Sequence, residues 1–297
     1  MSRLFSTLLL TALACAIPEA VAKDEVSHDG VKVDEMSPLR KLVPEAQLEA
    51  AALQQYAGIK QQAQRQGDLA PDNHPQVQRL RAIARQLIPH AVRWNDRAPQ
   101  WQWEINLIAS KDINAFCMPG GKIAFFSGIL STLRLTDDEV AIVMGHEIAH
   151  ALREHGRERA AKSGLANAGA KIAGIGLSAL FGIDPGLTGA ATGGVASLTM
   201  LKFSRDDETE ADLVGLDIAA RAGYDPRAGI ALWQKMAMIS KNAPPQWFST
   251  HPAGKNRIAE MQKHLAGVMP LYAKAKGKQL AELPPYQSNV TGIAPIR

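Results

Sequence analysis

The chain is poor in cysteine, with only Cys15 and Cys117 in 297 residues. A disulfide framework is therefore excluded, and a chain of this length can bury a sizeable core without one. It also lacks runs of Lys or Arg, and its net charge is only +4. That dispersed, mildly basic balance argues against a nucleic-acid partner. No unit repeats at a spacing of 20–50 residues, so a solenoid or propeller is not expected. No apolar stretch reaches the roughly 20 residues a helix needs to cross a bilayer.

What is present begins with an export-signal pattern. Arg3 precedes an apolar stretch, residues 4–17, of signal-core length. Ala20 and Ala22 then supply the small residues of a cleavage site, which predicts cleavage after Ala22. Cys15 offers the alternative of a lipid anchor, although Ala12 stands where a larger aliphatic residue is usual. Cleavage leaves Cys117 as the one thiol. With no neighbouring base in the pattern, it is assigned to packing.

Composition and periodicity mark off a signal at 1–22, a lead-in and helix at 23–74 and a tail at 268–297; the main domain at 75–267 is the span that the family resemblance given below implies. Residues 23–45 are polar and broken by Pro38 and Pro44, so they are expected to be flexible. Residues 45–66 form a helix closed by Gly67, and residues 76–94 a second one with Val77, Leu80, Ile83, Ala84, Leu87 and Ile88 on one face. Trp101, Trp103, Ile105 and Leu107 alternate with polar residues, the pattern of a strand. Residues 114–119 and 122–126 flank Gly120-Gly121 and predict two short strands joined by a turn. Thr136 and Glu139 make a capping box for a helix running through Arg153. Residues 204–222 are a helix with acids in its first turn, closed by Gly223; the next starts at Asp225-Pro226. The last helix is placed at 256–265. Residues 163–200 are rich in Ala and Gly and broken by Asp184-Pro185-Gly186, which predicts a packed helical hairpin or one that touches a membrane surface. The fold class expected is α+β, mostly helical, with a small sheet.

His146-Glu147-Ile148-Ala149-His150 is the HExxH pattern. Residues four apart share a helix face, so both imidazoles can bind one zinc ion. Glu147, rotated by about 100°, borders the same cavity and can act as general base toward water. The neighbours Val143, Met144, Gly145, Ile148, Ala149, Ala151 and Leu152 are uncharged, so this helix is buried around its ligands. A catalytic zinc takes three protein ligands and keeps one position open. Glu208, 58 residues after His150, supplies the third. Asp212, one turn on, is placed to accept a hydrogen bond from a ligating histidine, preferentially His146. Glu210 lies roughly 200° from Glu208 and is assigned to solvation. His155, about 180° around from His146, is assigned to the surface. His28, His74, His90 and His264 have no partner pattern.

These motifs resemble the HtpX/BepA-type zinc metallopeptidases, relatives of the CAAX prenyl proteases. The likeness is carried by the HEIAH run, the Glu208–Asp212 acids and Asn114-Ala115-Phe116-Cys117-Met118-Pro119-Gly120-Gly121. It is also carried by Phe203-Ser204-Arg205 and by His251-Pro252 followed by Arg257-Ile258. The resemblance implies a gluzincin fold with one zinc ion per subunit. It implies an edge strand, from 114–119 or 122–126, that aligns an extended peptide by backbone hydrogen bonds. It also implies a periplasmic location like that of the exported members. His251 would reach the open metal position and hold the enzyme latent, or stabilise the oxyanion. Arg257 would pair with a site carboxylate or cap the last helix. The expected activity is zinc-dependent endoproteolysis of misfolded or envelope proteins. The alternative is a protease-fold chaperone or assembly factor for outer-membrane proteins.

Overall fold

The computed structural model describes residues 29–162, 203–240, 247–252 and 256–297. The expected signal at 1–22, Cys15 and the hairpin at 163–200 lie outside these residues. The architecture is α+β and mostly helical, around a three-stranded sheet. Helix α1 (Glu45–Gln66) ends at Gly67, whose φ of +77° gives the left-handed cap that a side chain disfavours. Helix α2 (Pro75–Leu87) is shorter than its apolar periodicity suggests, because Ile88–Arg93 tightens into a 3-10 turn containing Pro89. His74 caps α2, its Nδ1 accepting from the Gln76 amide at 3.1 Å.

Strands β1 (Glu104–Ile108), β2 (Ala115–Met118) and β3 (Lys122–Phe126) form a sheet in the order β1-β3-β2. β2 and β3 are the antiparallel hairpin expected around Gly120-Gly121, and β1 lies parallel to β3. Since β3 is central, only β2 of the two candidate strands lies at an edge. The short helix α3 (Ser127–Thr132) leads to α4 (Asp137–Leu152), which opens with the capping box between Thr136 and Glu139.

Helix α4 does not continue past Arg153. Glu154 takes a positive φ of 56°, and α5 (His155–Lys162) starts in a new direction. Helix α6 (Arg205–Arg221) is capped by Ser204 and Asp207, each side chain accepting from the other's backbone amide. α4 and α6 pack closely where Gly145 faces Gly215. A Cβ on Gly145 would lie 2.9 Å from the Gly215 carbonyl oxygen, and one on Gly215 would lie 2.8 Å from the His146 nitrogen. This close approach sets the start of α6 beside the HExxH turn of α4.

Helix α7 (Ala228–Ile239) and the single turn α8 (Trp247–Thr250) precede α9 (Arg257–Ala275). α9 runs through Pro270, well beyond the expected end at 265. Val268, Met269, Leu271 and Ala273 are buried there, and their burial outweighs the one backbone hydrogen bond that Pro270 cannot make. The chain after α9 also docks: Tyr286 and Ile296 exchange backbone hydrogen bonds, and Asn289 accepts from the buried Lys235. The described part of the polar lead-in is likewise anchored, with the Val31 amide donating to Asp217 and Arg40 paired with Glu154. Among the described residues, no helix is long and apolar enough to cross a membrane.

Candidate metal centre

His146, Glu147 and His150 lie in the last turns of α4 and are buried at 2%, 3% and 4% exposure. The two imidazoles converge through Nε2 atoms 3.1 Å apart. Glu208, in the first turn of α6, places Oε2 3.6 Å from His146 Nε2 and Oε1 3.4 Å from His150 Nε2. His251 follows α8 and brings Nδ1 to 2.9 Å from Glu208 Oε1 and 3.3 Å from His146 Nε2. One ligand atom from each of these four residues lies within 4.8 Å of every other. Tetrahedral ligands about 2 Å from a metal stand about 3.3 Å from one another. The spacing and the imidazole–carboxylate donor set therefore fit a zinc-type site.

Charge balance follows from the neighbours. Asp212 Oδ1 stands 3.0 Å from His146 Nδ1, where the carboxylate accepts a hydrogen bond from Nδ1–H and Nε2 faces the cluster. Arg257, the first residue of α9, donates through Nε and Nη2 to Asp212 at 2.6 and 2.5 Å and through Nη1 to Glu208 at 2.6 Å. Its guanidinium also lies over the Trp233 ring at 4.0 Å. Of the two roles open to Arg257, the structure shows the carboxylate pairing. Asn256 holds the cap position of α9.

Burial raises the Glu147 carboxyl above its ordinary range, a shift only partly opposed by His251, His146 and Trp247. Burial also acts on Glu208, but His251, His150 and Arg257 overcome it and hold that carboxyl well below its usual value. His150 is pushed well down by burial. The Cys117 thiol is pushed up by burial beside Glu147, consistent with a packing role.

Two expectations are corrected. His155 is not on the surface: it is 2% exposed, and its Nδ1 lies 2.9 Å from His150 Nδ1. The break at Arg153-Glu154 turns it inward, where an unbroken helix would have carried it away. Glu210 is not a solvating acid. It accepts from His155 Nε2 at 2.9 Å and pairs with Arg153. Sequence reasoning also missed Trp247, whose Nε1 donates to Glu147 Oε1 at 2.9 Å. No local motif marks that residue.

A helix-borne imidazole pair, an acid from a second helix and a carboxylate beside them define a zincin-type metallopeptidase site. The family model described as peptidase family M48 matches residues 74–265, and the chain belongs to that family. The mitochondrial metalloendopeptidase OMA1 of Arabidopsis thaliana is 37% identical over 52% of this chain and 30% of its own length. The beta-barrel assembly-enhancing protease of Escherichia coli O157:H7 is 28% identical over 67% of this chain and 41% of its own. The metalloprotease LoiP of Escherichia coli strain K12 is 27% identical over 67% and 74%, respectively. The chain thus spans less than half the length of the first two of these relatives.

Proposed function

We propose that this chain is a zinc-dependent endopeptidase, with one zinc ion held by His146, His150 and Glu208 and with Glu147 as general base. The observation that carries this reading is the convergence of both Nε2 atoms and the Glu208 carboxylate on one buried point. A zinc ion bound there supplies a Lewis acid that polarises the scissile carbonyl and acidifies water. Glu147 takes the proton of the attacking water and passes it to the leaving amine, as the C–O bond forms and the C–N bond breaks. Its burial favours this exchange by bringing the carboxyl's proton affinity closer to neutrality. Among the described residues β2 is an edge strand packed beside α4, and its outer side accommodates an extended peptide through backbone hydrogen bonds, so selectivity by sequence is low. Unfolded or envelope proteins are suitable substrates, and the export pattern at the N-terminus supports an envelope location.

His251 occupies the fourth position and holds the enzyme latent. The turn that carries it is tied to the site at three points. The Trp247 amide donates to the Ile113 carbonyl at 3.1 Å, the Trp247 indole donates to Glu147, and His251 Nδ1 meets Glu208. A substrate therefore needs this turn to shift. The same latch favours a second reading, an assembly factor for outer-membrane proteins that seldom cleaves, as the name of the E. coli assembly-enhancing relative suggests.

One experiment separates these readings: digestion of casein or an unfolded outer-membrane protein, with and without a chelator. The wild type should cleave slowly and lose activity with its metal. Glu147→Gln should keep zinc and lose about 100- to 10,000-fold in rate. His251→Ala should cleave faster, whereas a slower variant assigns His251 to the oxyanion. Equal cleavage by wild type and Glu147→Gln excludes the mechanism.

A further inference from the structure

On the side away from the cluster, a line of polar groups runs from His150 through His155 to Glu210. His150 Nδ1 meets His155 Nδ1 at 2.9 Å, and His155 Nε2 meets Glu210 Oε2 at 2.9 Å. Both imidazoles are buried, so water does not replace these contacts. Two Nδ1 atoms at that distance share one proton, since two bare lone pairs or two N–H groups would repel. The Glu210 carboxylate is an acceptor only, so it accepts a hydrogen bond from His155 Nε2–H. His155 in its neutral form then has a bare Nδ1, which accepts from His150 Nδ1–H. His150 Nε2 is left with its lone pair directed at the cluster, the tautomer that can bind a metal.

We propose that His155 and Glu210 are positioning residues whose hydrogen-bonded line orients His150 and fixes its metal-binding tautomer. The inference rests on the reading of His150 as a metal ligand and extends it one shell outward.

The two ligating histidines are thus served differently by one helix. Asp212 reaches His146 directly at 3.0 Å. Glu210, two residues earlier, leaves α6 on another side and reaches His150 only through an interposed imidazole. That accounts for the break between α4 and α5, where the positive φ of Glu154 swings His155 behind His150. Further contacts brace the line. Arg153 pairs with Glu210 and also donates to the Asp34 carbonyl. The Phe203 ring stacks on His150 with centroids 3.9 Å apart and planes inclined by 25°. His150 is thereby held across its face as well as at its edge.

The test is zinc affinity, measured by chelator competition on the purified chain, with the thermal midpoint of each metal-free variant recorded alongside. His155→Leu fills much of the space but offers no acceptor, and it should weaken zinc binding about 10- to 100-fold. His155→Asn can place an amide oxygen near the lost Nδ1 and should retain most of the affinity. A purely structural role reverses that order, because Leu restores apolar packing better than Asn. Glu210 is 21% exposed at its side chain, so exchange there is compatible with folding. Glu210→Leu should weaken zinc binding, while Glu210→Gln, which still accepts, should weaken it less. Wild-type affinity in both His155→Leu and Glu210→Leu overturns the proposal, as does an equal loss in His155→Leu and His155→Asn. A wild type that binds no zinc overturns the metal-site reading itself, and the relay with it.

Discussion

The Trp247 indole donates from Nε1 to Glu147 Oε1 at 2.9 Å, so the turn that carries His251 also holds the carboxylate assigned as base. The hydrogen bond favours the ionised carboxylate and works against the upward shift from burial. Trp247→Phe keeps an aromatic ring near Trp233, whose centroid lies 5.8 Å away, but removes the donor. The Glu147 carboxyl should then hold its proton to higher pH. The acid limb of kcat/KM against pH should move upward, and an unmoved limb would show that the indole does not act on the base.

Arg257 is buried and forks between Glu208 and Asp212. Arg257→Met fills part of its volume but leaves two buried carboxylates without their cation. Breaking a buried ion pair by removing one partner costs about 3–5 kcal/mol. In a domain of this size that corresponds to a fall of roughly 6–20 °C in the thermal midpoint. Calorimetry on the metal-free protein reads this, and an unchanged midpoint would mean that the pair contributes nothing to the fold.

Two histidines should give the metal-free protein a stability optimum. Burial pushes His150 well below 6.5. Its unfolded form therefore takes up a proton first, and stability is lost as pH falls below 6.5 toward the folded value. For His251, burial acts downward too, but the Glu208 and Glu147 carboxylates outweigh it and raise the imidazole above 6.5. Its contribution is fully present below 6.5 and is lost as pH rises through the folded value. The two windows adjoin without overlapping. Each limb has a slope of at most about 1.4 kcal/mol per pH unit. Thermal midpoints of chelated protein from about pH 5.5 to 8 should show that His150→Gln flattens the acid limb and His251→Gln the alkaline one. Limbs that persist in both variants would assign the pH dependence to other groups.

Much of this centre can be read from local chemistry. Gly67 ends α1 because the left-handed cap favours glycine, and the box of Thr136 and Glu139 opens α4 because two orphan amides find reciprocal acceptors. HExxH implies a shared face, and the acid four residues before Asp212 implies a third ligand. His155 escaped because helical periodicity was carried through Arg153, where the chain turns, and Glu210 because it leaves its helix away from Glu208, toward that displaced imidazole. That turn is held by distant partners, Arg40 on Glu154 and Asp34 on Arg153, which no local pattern announces. α9 exceeded its expected end because tertiary burial around Pro270 overrides the local penalty of proline. Trp247 meets Glu147 across 100 residues of sequence, a separation that only the fold closes.

The central claim is tested most directly by a crystal structure of the zinc-loaded chain, with anomalous diffraction collected at the zinc edge. A single strong peak within bonding distance of His146 Nε2, His150 Nε2 and the Glu208 carboxylate is the expected result. A peak elsewhere, or zinc held without Glu208, would contradict the account.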